Sequence, residues 1–289
     1  MFCDPESYKK KYEFFNYIDE YIKYDELTEK NGSSDIQGLN YNFINNFNVT
    51  KFDDLKKLCN RFVYLVDALR KRNEGSTFNA DYDFDYLNYW LNARIHEIDD
   101  EGTCKKLFFQ NLRSAHGGIH NSSILSSRIY DIEAKDLIDM NILYKLHKDF
   151  KEFNEKIKNS NPKEEECMIY LKRCIEKYQK LKEKCTGDGE MFCKILSNFK
   201  IKYDAIDLCK YTFEGKTRKK LPSLESDPNK AAEVCEDSAI DTDGPSSQDR
   251  SGYSERDEGS FDIDTQSITI GTVATIGISL PLDNSYVLK

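Results

Sequence analysis

At 289 residues, 39% hydrophobic and 32% charged, the chain is long enough to bury a sizeable core yet polar enough that some stretch stays outside it. The net charge of −9 is concentrated: residues 223–265 carry −10 and residues 266–289 are neutral, which leaves 1–222 near +1. A near-neutral domain followed by an acidic segment lacks the basic footprint that nucleic-acid binding requires, so no nucleic-acid partner is expected.

Helical periodicity dominates the first 222 residues, and the expected fold class is all-α. Over 5–23, Tyr8, Tyr12, Phe15, Ile18 and Ile22 recur on one stripe. Over 51–72, Phe52, Leu55, Cys59, Phe62, Leu65, Val66 and Leu69 do the same, with Thr50 or Asp53 placed to cap the start. A third helix runs through Phe84, Leu87, Trp90, Leu91, Ile95 and Ile98, and a short one through Cys104, Leu107, Phe108 and Leu112. Two long helices follow, one on Ile138, Ile142, Leu146, Phe150, Phe153 and Ile157, the next on Cys167, Tyr170, Leu171, Cys174, Tyr178, Leu181 and Cys185. A last helix covers roughly 190–213. Gly- and Asn-rich breaks near 31–34, 73–76, 117–118, 159–162 and 186–189 separate these elements.

After Lys219-Lys220 the composition turns Ser-, Asp- and Glu-rich. Residues 223–265 have too little apolar surface to offset their ordering entropy and are expected to be a disordered acidic linker. Residues 266–289 open on an uncharged run, Ile268 to Leu280, which is either the beginning of a membrane span or a β-prone tail. A spanning helix needs about 20 predominantly apolar residues. The run at 265–282 is shorter, is diluted by Thr269, Thr272, Thr275 and Ser279, and meets Pro281, so poor membrane insertion is expected.

Nine cysteines are present, five of them between 167 and 209. Such clustering suits an oxidising compartment. The start, Met1-Phe2-Cys3-Asp4-Pro5-Glu6, has no apolar stretch, so a secretory signal peptide is not expected there. Cys167, Cys174 and Cys185 lie two and three helical turns apart on one face, too distant along a helix to bond one another. The turn at Gly187-Asp188-Gly189 suggests a helical hairpin in which Cys185 faces Cys193. The same symmetry sets Cys167 opposite Cys209, although Cys193 and Cys209 sit on different sides of an unbroken helix, so that second bond needs a kink. Buried free thiols are the alternative.

Catalytic and metal patterns are missing. Cys-x7-Cys spacing matches no usual zinc motif. His116 and His120 have i, i+4 spacing, but the intervening Gly117-Gly118 disfavours a helix and no glutamate follows the first histidine. His96 and His147 read as ordinary helix-face residues, and Asp81, Asp83, Asp85, Asp99 and Asp100 as charged faces or caps. No phosphate-cradling loop or nucleophile elbow occurs. No enzyme activity and no cofactor are expected.

The block Tyr86-Leu87-Asn88-Tyr89-Trp90-Leu91-Asn92, preceded by Tyr82-Asp83-Phe84-Asp85, resembles the Tyr-rich block of the Plasmodium interspersed repeat superfamily, most closely its vivax-type VIR branch. Cys104-Lys105-Lys106-Leu107-Phe108 and Phe192-Cys193-Lys194-Ile195-Leu196 continue the likeness, with early Cys3 and the cysteines from 167 to 209. The resemblance covers about 1–220. It implies a variant protein exported into or onto the infected red cell, with a helical ectodomain and a C-terminal membrane helix, and many such proteins lack an ordinary signal peptide. Here Leu282-Asp283-Asn284-Ser285-Tyr286 replaces the second half of that helix, and a soluble form and a truncated span both fit.

Residues 1–222 are therefore expected to form a cysteine-bearing recognition domain with Cys3, Cys59, Cys104, Cys167, Cys174, Cys185, Cys193 and Cys209 as structural cysteines. The partners expected are host proteins or antibodies, and the function receptor adhesion or immune evasion by antigenic variation. The alternative is a soluble interaction protein inside the host cell, with reduced thiols. Trp90 either seals the core or serves as a binding hot spot.

Overall fold

The computed structural model describes residues 12–47, 49–72, 80–99, 103–119, 122–185 and 190–236. All of them belong to one unit, Met1–Ser238. The structure is built from helices: α1 Ile18–Asn31, α2 Phe52–Arg70, α3 Ala80–Ile98, α4 Lys105–Ala115, α5 Ser122–Arg128, α6 Ala134–Ile157, α7 Glu164–Lys182 and α8 Met191–Asp204. Short 3-10 turns occur at Glu13–Tyr17, Tyr41–Asn46, Val49–Lys51 and Leu208–Lys210. Among the described residues the only β pairing is two isolated bridges, Phe213 with Thr217 and Lys219 with Val234.

The first helix differs from the expectation. Its apolar stripe starts in the 3-10 turn, where Phe14 and Phe15 are buried, and the α-helix runs on through charged residues to Asn31. Asp25 and Thr28, beyond the expected end of this helix, are buried. The helix ends at Gly32, where a Cβ would lie 2.6 Å from the Thr28 carbonyl oxygen and 3.1 Å from Arg61 Cα of α2. That close crossing needs a residue without a side chain.

Helix α2 matches its expected span, but its N-cap is Lys51 and carries no side-chain capping bond. Helix α4 is capped from a distance. Asp131 Oδ1 and Oδ2 accept from the Lys105 and Lys106 amides at 2.8 and 3.2 Å, which satisfies two of the donors every helix start leaves open.

The most extensive helix pairing is α6 with α7. Its antiparallel register shows in descending ion pairs: Lys156 with Glu166, Lys177 with Asp149, and Lys184 with Asp139. The expected α6 stripe holds at Leu146, Phe150, Phe153 and Ile157, which are buried, with Ile142 packed against the core. Only its first member, Ile138, is 45% exposed, and Leu137, Met140, Leu143, Tyr144 and His147 complete the inner face, because strict i+4 spacing drifts around a helix of 3.6 residues per turn.

Helix α8 stops at Asp204, short of the expected 213. The Cys185–Cys193 disulfide joins the α7–α8 hairpin with Cα atoms 5.5 Å apart. The expected Cys167–Cys209 bond is absent: Cys209 pairs with Cys235, their Cα atoms 5.9 Å apart, and Cys167 is a buried free thiol. The reason is the early end of α8, which frees 205–236 to fold back as a strap. Residues 223–236, expected to belong to the disordered linker, are instead held against the domain. Leu224 is fully buried, and the Gln179 side-chain amide of α7 donates to the Leu224 and Ser226 carbonyls at 3.1 and 2.7 Å. The acidic stretch 237–265, the run 266–289 and Cys3 lie outside the described residues.

Candidate functional site

Helix α3 is buried almost all round, and the Tyr86–Asn92 block occupies its middle. Every side chain from Tyr86 to Asn92 is at most 3% exposed. The expectation placed only Phe84, Leu87, Leu91 and Ile95 in the core, with Trp90 sealing it. The structure adds Tyr86, Asn88, Tyr89 and Asn92. A polar residue in such a position must find partners.

Asn88 and Asn92 are one turn apart and together grip the segment between α5 and α6. Asn88 Oδ1 accepts from the Tyr130 amide at 3.1 Å, and Asn92 Oδ1 from the Ile132 amide at 2.9 Å. Asn92 Nδ2 donates to the Tyr130 carbonyl at 2.9 Å and back to Asn88 Oδ1 at 3.0 Å. Two carboxamides thus stand in for a β-strand and satisfy an irregular stretch of backbone. Tyr89 OH donates to Asn141 Oδ1 of α6 at 2.9 Å.

The centre of the network is Asp25 of α1, 1% exposed. It accepts from Trp90 Nε1 at 2.7 Å, from Tyr144 OH of α6 at 2.5 Å and from an Arg94 guanidinium nitrogen at 2.7 Å. Arg94 also reaches Glu97 at 2.9 Å and lies over the Trp90 ring, 5.8 Å from its centroid. Helices α1, α3 and α6 therefore meet on one carboxylate. Asp83 forms a second node: it accepts from Tyr21 OH at 2.8 Å and pairs with Arg72. Burial pushes the Asp83 carboxyl above its usual range, against the opposing pull of Tyr21 and Arg72. Asp85 is buried and Asp83 half-buried, so neither residue is the solvated charge expected from sequence. Asp99 accepts from Thr103 Oγ1 at 2.7 Å, while Asp100 and the Asp81 side chain fall outside the described residues.

These groups hold helices. Asp25 takes three charge-assisted or buried hydrogen bonds and has no open side toward solvent. Cys59, Cys167 and Cys174 are free and buried. Burial raises all three thiols, Cys167 to about 11, so they stay protonated and unreactive at neutral pH. Cys104 is disulfide-bonded. No cluster of three or more His, Cys, Asp or Glu that could hold a metal occurs among the described residues. His116 sits at the end of α4, and His120 is outside the described residues.

Clefts also open on the surface of the domain. One of about 350 Å³ lies between α1, α2 and the turn after α4. Its Asn31 donates to Tyr64 OH at 3.3 Å and its Arg70 is held by Asp67 at 2.8 Å. Another, of about 260 Å³, lies over His147 between the first 3-10 turn and α8.

Not every buried polar atom is satisfied: Arg61 Nε, Asn88 Nδ2 and both ring nitrogens of His147 find no hydrogen-bond partner among the described residues. His147 is 3% exposed and packs 5.2 Å edge-on to Phe199. Its Nδ1 is 3.9 Å from Asp19 Oδ1. Burial pushes its pKa down to about 4, against the pull of Asp19 and with the push of Lys202. The folded pKa lies below the unfolded value near 6.5, so the unfolded chain takes up a proton first as pH falls. This contribution is present above about pH 6.5 and is lost toward pH 4. Urea titrations at pH 7 and pH 4.5 are expected to differ by about 2 kcal/mol more for the native protein than for His147→Phe. An equal fall in both proteins assigns the acid sensitivity to other groups.

The fold and its network define an all-α, disulfide-bonded domain whose interior polar groups serve to join helices. The family model for the Plasmodium vivax Vir protein matches residues 6–288, and the chain belongs to that family. Membership is consistent with a variant-antigen role. No curated protein and no solved structure matches the chain. The Tyr86–Asn92 block that carried the resemblance is thus the buried centre of the fold. Sequence reasoning missed Asp25, whose only signal is its i+3, i−3 and i−4 spacing to Thr28, Ile22 and Tyr21 on the inner face of α1, and Cys235, which stands alone in an acidic stretch.

Proposed function

We propose that this protein is a non-catalytic variant antigen exported to the infected red cell, where exposed loops and helix faces meet host proteins or antibodies. The family match over residues 6–288 carries the reading. The disulfides support it, since Cys185–Cys193 and Cys209–Cys235 suit an oxidising environment. A rigid interior network supports it as well: a scaffold whose side chains are fixed internally tolerates change at its loops.

The test is localisation. Antibodies raised against the folded protein are expected to label intact infected cells, with Cys185, Cys193, Cys209 and Cys235 resistant to alkylation before reduction. Labelling only after permeabilisation, with those four thiols reactive, selects the soluble interaction protein instead. Attachment through 266–282 is read separately. No described helix is long and apolar enough to cross a membrane, and alkaline carbonate is expected to release the chain. Retention in the pellet after thiol reduction assigns a membrane anchor to that run.

A further inference from the structure

Past α8 the chain runs a closed circuit before it leaves the described domain. It turns at Phe213–Thr217, where Glu214 and Gly215 adopt positive φ of 50° and 68°. The turn is tied to the start of α7: the Glu214 amide donates to the Pro162 carbonyl at 3.1 Å, and Thr217 Oγ1 to Glu164 at 2.9 Å. The strap then crosses α7 and α8, with Tyr203 OH donating to the Pro222 carbonyl at 2.8 Å and Gln179 holding the Leu224 and Ser226 carbonyls. It returns beside its own beginning. The Lys220 amide donates to the Glu233 carbonyl at 2.7 Å and the Cys235 amide to the Arg218 carbonyl at 3.1 Å. There Cys235 is bonded to Cys209, 26 residues earlier.

The place of that bond has a mechanical consequence. A pull on the chain beyond 236 reaches the Cys235–Arg218 hydrogen bond first, then the Lys220–Glu233 one, so the strap is loaded at its edge and would open bond by bond. A disulfide at that edge puts a covalent link in parallel with those bonds. The load then passes from Cys235 to Cys209, directly behind α8, and α8 is itself stapled near its other end through Cys193 to Cys185. We propose that Cys209–Cys235 is a tension clasp: it carries force from the C-terminal chain into α8 and keeps the strap closed over α7. The inference is independent of what the chain beyond 236 is attached to.

The clasp is conditional on redox state. A dithiol opens it by transferring two electrons and two protons: the Sγ–Sγ bond breaks, Cys209 and Cys235 become thiols, and the dithiol closes to its own disulfide. The closed loop then becomes slack. A segment of 26 residues reaches about 90 Å when fully extended.

The full-length oxidised protein, held by its two termini in an optical trap, tests this. It is expected to show no separate extension of this size before the helical domain unfolds. Cys209→Ser/Cys235→Ser is expected to show an early, low-force step of about 90 Å with the remaining helices intact by circular dichroism. Should that variant fail to fold, native protein held at low force and exposed to dithiothreitol supplies the same readout. Opening of Cys185–Cys193, whose loop is 8 residues, gives a step of only about 30 Å and is told apart by size. An early step of about 90 Å in the oxidised native protein, or none after the bond is removed, overturns the proposal.

Discussion

Asp25→Ala is expected to destabilise the domain by about 3–5 kcal/mol, the largest effect of any single polar substitution in it. The side chain is small, so little packing is lost. What is lost is the acceptor for three donors at once, Trp90 Nε1, Tyr144 OH and Arg94. Two buried neutral donors are left unmade, each worth about 1–3 kcal/mol. Arg94 keeps Glu97, which is 47% exposed on its side chain and therefore a weaker, screened partner. Urea denaturation followed by far-ultraviolet circular dichroism measures the loss. Arg94→Met in the Asp25→Ala background is expected to recover part of it, because the second change removes the buried charge that the first left short of a partner. A loss below about 1 kcal/mol, or no recovery, removes the hub from the account of stability.

Most of the helical framework is legible in the sequence, and the exceptions share a cause. Helices α2, α3, α4, α6 and α7 carry apolar stripes long enough to define both face and length. Helix α5 carries one buried residue, Leu125, too little for a period to show. Helix α1 was misplaced because its second half is charged. Its inner face there is made by Asp25 and Thr28, and a polar core face has no hydrophobic signature. The same limit hid the hub: a buried carboxylate and a solvated one are the same letter, and only the position of Trp90, Arg94 and Tyr144 distinguishes them. The turn after α7 exposed Cys185–Cys193, because a bond across a helical hairpin is local. Cys209–Cys235 was hidden for the opposite reason. Residues 223–236 look too polar to order themselves, and they are ordered by one buried leucine, a glutamine that takes two carbonyls and the disulfide.

Trp90→Ala is expected to cost about 3–5 kcal/mol, for packing more than for polarity. The indole is 3% exposed and lies 6.1 Å from the Phe62 ring of α2, with the Arg94 guanidinium on its face. Truncation leaves a cavity between α2 and α3 and removes one of the donors to Asp25. Trp90→Phe separates the two contributions. It keeps much of the ring volume and drops only the N–H, so a smaller loss, about 1–2 kcal/mol, is expected. Both numbers bear on function, because tryptophan is among the residues enriched at binding hot spots. With so little of the indole exposed, almost none of it is left to touch a partner. Binding of conformation-dependent antibodies by either variant is therefore expected to fall only in step with the unfolded fraction, measured in the same samples. A stability loss under about 1 kcal/mol accompanied by abolished binding gives the opposite answer, and Trp90 then belongs to an interface.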